Sequence, residues 1–134
     1  MANRGMKWQD KRVFLTGASS GIGEALAVAL AKKGAILGLL ARRKELLDKL
    51  KKDCEKAGGT ARVFACDVTD EDAVQAAVDD FIHEFEHIDI LIANAGIGGN
   101  NKETRALQPL AVKKVIDINL LGAVNSVHAV FPQM

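Results

Sequence analysis

Apolar and polar positions fall along the chain in blocks whose period changes, and each change predicts an element. Residues 11–16, with Val13-Phe14-Leu15 at their centre, read as a strand. Over residues 21–33 the apolar positions recur at helical spacing, as Ile22, Ala25, Leu26, Ala29 and Leu30, and Gly34 supplies a stop. Residues 36–41 are almost continuously apolar, the mark of a strand covered on both faces. A second helix is predicted over residues 43–57, with Leu46, Leu47, Leu50 and Cys54 inward, lysines outward, and Gly58-Gly59 at its end. Residues 61–66 read as a third strand. Thr69 and Asp70 then offer caps for a helix that places Val74, Ala77, Val78, Phe81 and Phe85 on one face. A fourth strand over residues 88–93, a loop rich in Gly and Asn through Asn101, and one long helix from about Pro109 to Phe131 complete the chain. Strands alternating with helices through short connections predict an α/β fold, a doubly wound parallel sheet.

Composition narrows the function classes. The 134 residues fit one domain, with residues 1–10 as a loosely ordered lead-in. Eighteen basic and seventeen acidic residues leave a net charge of +1, which argues against nucleic acid as a partner. No uninterrupted apolar run nears the roughly 18 residues of a membrane span, and the first residues lack the apolar core of a signal peptide. The expectation is a cytoplasmic protein with no membrane partner. Cys54 and Cys66 read as reduced packing residues.

The candidate chemistry starts at Thr16-Gly17-Ala18-Ser19-Ser20-Gly21-Ile22-Gly23, between the first strand and the first helix. Glycines there let the backbone turn tightly and approach a ligand, while the helix start aims free N–H groups and a partial positive charge at an anion. The spacing is G-x-x-x-G-x-G rather than G-x-G-x-x-G, and by itself it also suits a tight packed turn.

Further motifs follow in order: Asp67-Val68, Asn94-Ala95-Gly96, and Asn119 with Gly122. Together with the glycine turn they make the chain resemble the short-chain dehydrogenase/reductase family from residue 11 onward. The resemblance implies a Rossmann-like sheet; we expect four strands in order 3-2-1-4 with helices on both faces, incomplete relative to the family. It implies a dinucleotide held by Gly17, Ser19, Ser20, Gly21, Ile22 and Gly23, with Asp67 and Val68 at the adenine and Asn94, Ala95 and Gly96 near a ribose. Asn94 would also tie neighbouring strands together. Asn119, in a helix interior where asparagine is a poor former, corresponds to the family's catalytic asparagine, which helps hold a water linked to a catalytic lysine. Each residue has a plainer reading as well, Asp67 as a turn starter and Asn119 as a satisfied polar group. The family's serine, tyrosine and lysine would lie beyond Met134, and the sequence contains no tyrosine. The expectation is therefore the cofactor-binding half of a reductase, inactive alone. The alternative is a non-catalytic nucleotide-binding or self-associating module.

Cofactor choice turns on the end of the second strand, Leu40-Ala41-Arg42-Arg43. An acidic residue there would bind a ribose 2′-hydroxyl and repel a 2′-phosphate. Ala41 is neutral, and Arg42 can offer a fork of hydrogen bonds to a phosphate. NADP(H) is expected over NAD(H), although Ser20 is not the basic residue of many NADP-using relatives. A charged, solvated helix start would explain Arg43 equally well. His83-Glu84-Phe85-Glu86-His87 matches H-E-x-x-H, but with no third ligand evident it is read as an exposed helix end and no metal site is expected. The long last helix is apolar on more than one face, which, with the fourth-strand edge, points to a homo-oligomer.

Overall fold

A computed structural model describes residues 5–98 and 102–134. Strands β1 (Arg12–Thr16), β2 (Ile36–Ala41), β3 (Thr60–Ala65) and β4 (Ile90–Ile92) form one parallel sheet in the order β3-β2-β1-β4, as expected. The chain steps outward from β1 through helix α1 (Gly21–Ala31) to β2, then through α2 (Lys44–Lys56) to β3. Helix α3 (Glu71–Phe85) carries it back past β1 to β4. This reversal opens a crevice beyond the strand ends, between β1 and β4.

Alternation along each strand divides the core between the two faces. Val13, Leu15, Leu37 and Leu39 pack with Ala27, Leu30, Leu47, Leu50 and Cys54 of α1 and α2. Phe14, Leu40 and Phe64 pack on the other face with Val74, Val78 and Phe81 of α3 and with Ala129 and Val130 near the C-terminus. The Phe14 and Phe81 rings meet edge to face, 5.6 Å apart. Gly38, paired with Phe14 across the sheet, makes room for that ring, since a Cβ there would lie 2.5 Å from it.

The first helix is rotated from its expected setting. Its buried residues are Gly23, Ala27, Leu30 and Ala31, and Ile22 is 78 % exposed. The cause is local: a Cβ on Gly23 would lie 2.3 Å from the Gly17 carbonyl oxygen, so Gly23 must face the strand exit, and this contact sets the helix rotation. Asp70 caps α3, its carboxylate accepting from the Ala73 N–H at 3.0 Å. That helix ends at Phe85, with Glu86 in the left-handed region (φ 74°), so His87 lies outside it and does not share a helix face with His83. His87 Nε2 instead lies 3.3 Å from Asp89 Oδ1. The other Asp89 oxygen accepts from the Arg12 N–H at 2.8 Å, joining the start of β1 to that of β4. That bond, then the Lys11 and His87 charges, hold the Asp89 carboxyl below the usual carboxylate range against the opposing effect of burial.

The predicted long helix is present as one continuous run, Pro109–Gln133, with a π turn inside it. A short helix α4 (Lys102–Arg105) comes first; α5 (Pro109–Ile116) leads through a π turn (Asp117–Leu121) into α6 (Gly122–Val130), and a 3₁₀ turn (Phe131–Gln133) follows. In the π turn the Gly122 N–H donates to the Asp117 carbonyl, five residues back. As one helical run, Pro109–Gln133 contains an 18-residue window of mean hydropathy 1.3 and is long and apolar enough to cross a membrane by length and composition alone. Lys113, Lys114, Asp117, Asn119 and Asn125 interrupt it, which is why it is not an uninterrupted apolar run in the sequence. The loop through Asn101 lies partly outside the described residues, as does part of the lead-in.

Candidate functional site

A cleft of about 350 Å³ lies where the sheet order reverses, at the carboxyl ends of the strands. It brings together Gly17, Ser19, Ser20, Gly21 and Ile22 with Arg42, Asp67, Val68, Asn94, Ala95 and Gly96. Of the predicted binding residues only Gly23 is absent from its wall, because it sits behind the floor against Gly17.

The three glycines of the turn differ in what they do. Gly17 has φ +67°, and a Cβ there would lie 2.7 Å from the Ala95 Cα, so it permits both the turn and close approach of the two loops. Gly21 has φ +57° and open space where a Cβ would be. Gly23 is a packing glycine. Ser20 occupies the N-cap position of α1, yet its side chain makes no capping bond. The first-turn N–H groups of Gly21, Ile22 and Gly23 have no acceptor within the helix. Uncapped donors with a partial positive charge, beside a glycine that adds no side chain, suit a phosphate or pyrophosphate.

The floor is fixed by Thr16 and Asn94. The Thr16 hydroxyl oxygen accepts from the N–H groups of Asn94 and Ala95, each at 3.1 Å. The Asn94 side-chain amide donates to the carbonyls of Thr16 and Gly17, at 3.2 and 3.3 Å. Asn94 thus ties the two loops together, the structural role anticipated for it. Across the cleft, Asp67 Oδ1 accepts from both the N–H and the hydroxyl of Thr69, at 2.9 Å each. The Thr69 N–H, then its hydroxyl, then the charges of Arg42 and Lys114, hold the Asp67 carboxyl below its ordinary value despite partial burial. At neutral pH Asp67 is a charged acceptor. Neighbouring Cys66 has its thiol pushed up to about 11, first by burial and then by Asp70 and Asp67, so it stays protonated.

Arg42 and Arg43 stand at the cleft edge where β2 ends, and Ala41 contributes no charge. Arg43 Nη2 lies 3.4 Å from the Ser19 hydroxyl, a long contact that reaches over to the glycine turn. Arg43 remains an exposed residue at the helix start, and this contact is the one it makes toward the glycine turn.

Asn119 lies in the π turn, outside the cleft lining. Its side chain accepts from the Ile97 N–H at 2.8 Å and donates to the Ile97 carbonyl at 2.9 Å, clamping the loop that follows β4. Sequence reasoning missed Thr16 as an acceptor, Ile97 and Ile118 as lining residues, and Asn125, whose amide donates to the Val68 carbonyl at 2.9 Å. The signal that singled out Asn119, an asparagine inside a helix, is present at Asn125 as well.

Comparison with known proteins bears on the cleft directly. The family model described as short chain dehydrogenase matches residues 11–134. An oxidoreductase of Listeria innocua is 39% identical over 127 residues, covering 95% of this chain and 51% of that protein. A 3-dehydrosphinganine reductase of Arabidopsis thaliana is 41% identical over 127 residues, covering 94% of this chain and 37% of that one. Among solved structures, an NAD⁺-bound xylitol dehydrogenase is 36% identical with a TM-score of 0.90, covering 96% of this chain and 50% of that one. A 3-ketoacyl-ACP reductase from Sinorhizobium meliloti is 38% identical with a TM-score of 0.82, covering 90% and 48%. The chain spans about half the length, or less, of these relatives. The match runs through the whole sheet and on through the last helix, and by it the chain belongs to the short-chain dehydrogenase/reductase family of oxidoreductases.

Proposed function

We propose that these residues form the nucleotide-binding part of an NADP(H)-dependent oxidoreductase that moves hydride between a nicotinamide and a carbonyl or alcohol substrate. The observation that carries the NADP(H) choice is the end of β2, where neutral Ala41 stands beside two guanidinium groups at the cleft edge. The solved relatives described with NAD include the xylitol dehydrogenase, so the phosphate preference rests on Arg42 and Arg43 of this chain. When bound, the nicotinamide supplies or accepts the hydride. The chain's own residues bind and orient. First-turn N–H groups of α1 hold the pyrophosphate, Arg42 forks onto the 2′-phosphate, and Asp67 accepts from the adenine amine. The backbone of Asn94, Ala95 and Gly96 meets a ribose, and Asn119 keeps that loop in place through Ile97. Proton transfer to the substrate oxygen falls to residues outside these 134, as the family resemblance implies. The reading also takes the protein as cytoplasmic, and as a homo-oligomer joined through the exposed apolar side of the last helix or the edge of β4.

Binding measurements test the choice. Arg42→Ala should weaken NADPH binding about tenfold or more, the scale of a lost charged hydrogen bond, and leave NADH within about twofold. Equal losses for both cofactors would overturn it. The second reading, a non-catalytic self-associating module, draws on the exposed apolar residues of the last helix, among them Val124, Val127 and Phe131. NADPH oxidation by the native gene product, followed with a panel of carbonyl compounds, decides between the two. A rate no higher than that without protein establishes the module.

A further inference from the structure

The peptide unit between Val68 and Thr69 is held at both ends. Its carbonyl accepts from the Asn125 side-chain amide of α6 at 2.9 Å. Its N–H donates to Asp67 Oδ1 at the same distance. A peptide unit is planar, so fixing the carbonyl direction fixes the N–H direction, and that N–H sets the rotation of the Asp67 carboxylate. The Thr69 hydroxyl on the same oxygen completes the arrangement. Gly122, one turn before Asn125, brings α6 close enough for this: a Cβ there would lie 2.6 Å from Val68 Cγ2. Asn125 itself does not line the cleft, whereas Asp67 and Val68 do.

We propose that Asn125 is a positioning residue for the adenine edge of the cleft, acting through the Val68–Thr69 peptide on the Asp67 carboxylate. The assignment rests on the dinucleotide reading above for its ligand, but the pinned peptide can be tested without one. A donor on a helix, outside the ligand's reach, aims an acceptor on a loop. Without Asn125 the buried side of the Val68 carbonyl loses its partner, the peptide rotates more freely, and the carboxylate no longer presents a fixed face.

Two variants separate hydrogen bonding from packing: Asn125→Ala removes the amide, and Asn125→Leu keeps the branched side-chain shape without the donor. In the ligand-free protein both should speed hydrogen exchange at the Thr69 amide about tenfold and return the Asp67 carboxyl toward its ordinary titration range. The Ala73 amide, held by Asp70 one turn on, should exchange as in the wild type. Both variants should also weaken adenosine 2′,5′-bisphosphate about 3- to 10-fold, the range of one lost hydrogen bond, and leave nicotinamide mononucleotide binding unchanged. Wild-type exchange at Thr69 in both variants would overturn the proposal, as would equal losses for the two half-ligands. A wild-type protein that binds no adenine ligand while Thr69 still responds would overturn the dinucleotide reading and leave the pinned peptide standing.

Discussion

Gly17, Gly21 and Gly23 occupy one turn for different reasons, and substitution should separate them. Gly21→Ala meets open space, so its cost is the left-handed backbone alone, about 1 kcal/mol or slightly more. Gly23→Ala drives a methyl group into the Gly17 carbonyl and should cost about 2–3 kcal/mol. Urea unfolding of the two variants should show that order. Nothing in the glycine spacing distinguishes the two cases, because only packing reveals which glycine needs its conformation and which needs its missing side chain. The same limit explains Arg43 and Asn125. Their types were legible, but the atoms they reach, Ser19 and the Val68 carbonyl, lie 24 and 57 residues away. Asp67 and Asn94 were singled out through the resemblance to the family's motifs, and both line the cleft.

At the scale of elements, the strands fell where the apolar blocks placed them, although β4 is only Ile90–Ile92 within the expected 88–93, and the sheet order came from the family resemblance. Helix rotation and the π turn within the last helix did not follow. The pattern of α1 put Ile22 inside, but a backbone contact at Gly23 outweighs one apolar side chain. The last helix is interrupted by a π turn where Asn119 holds Ile97, a contact between distant segments that periodicity does not carry. The start of β4 offers a test of how elements are joined. The Asp89 carboxyl titrates lower in the fold than in the unfolded chain, so its contribution is fully present above about pH 4. It is lost as the pH falls through the depressed folded value. Asp89→Asn should lower stability by about 1–2 kcal/mol at pH 7. The gap to wild type should narrow as the pH falls below about 4, and a gap independent of pH in denaturant titrations would contradict this account.

For the whole molecule, one surface stands apart from the rest. Leu120, Val124 and Val127 are about half exposed, and Phe131 is 73 % exposed, lining an apolar groove with Ala123 and Pro132. Grouped exposed apolar residues on one helix mark a contact surface. If that surface joins two copies, Phe131→Glu should shift the protein to the monomer in sedimentation or size-exclusion measurements while leaving its circular dichroism unchanged. An unaltered mass would remove the helix from the interface.

The uncapped start of α1 has a further consequence. A serine in the N-cap position that accepted a backbone N–H would add about 0.5–2 kcal/mol to the fold, and Ser20 does not do so. Conformational stability and ligand affinity therefore draw on the same few N–H groups, and the apo protein stands below the stability its sequence could reach. An anion that engages those groups should behave thermodynamically as a missing piece of helix. Saturation at a hundred times the dissociation constant should add about 2.7 kcal/mol, and inorganic pyrophosphate should raise the melting temperature with the logarithm of its concentration.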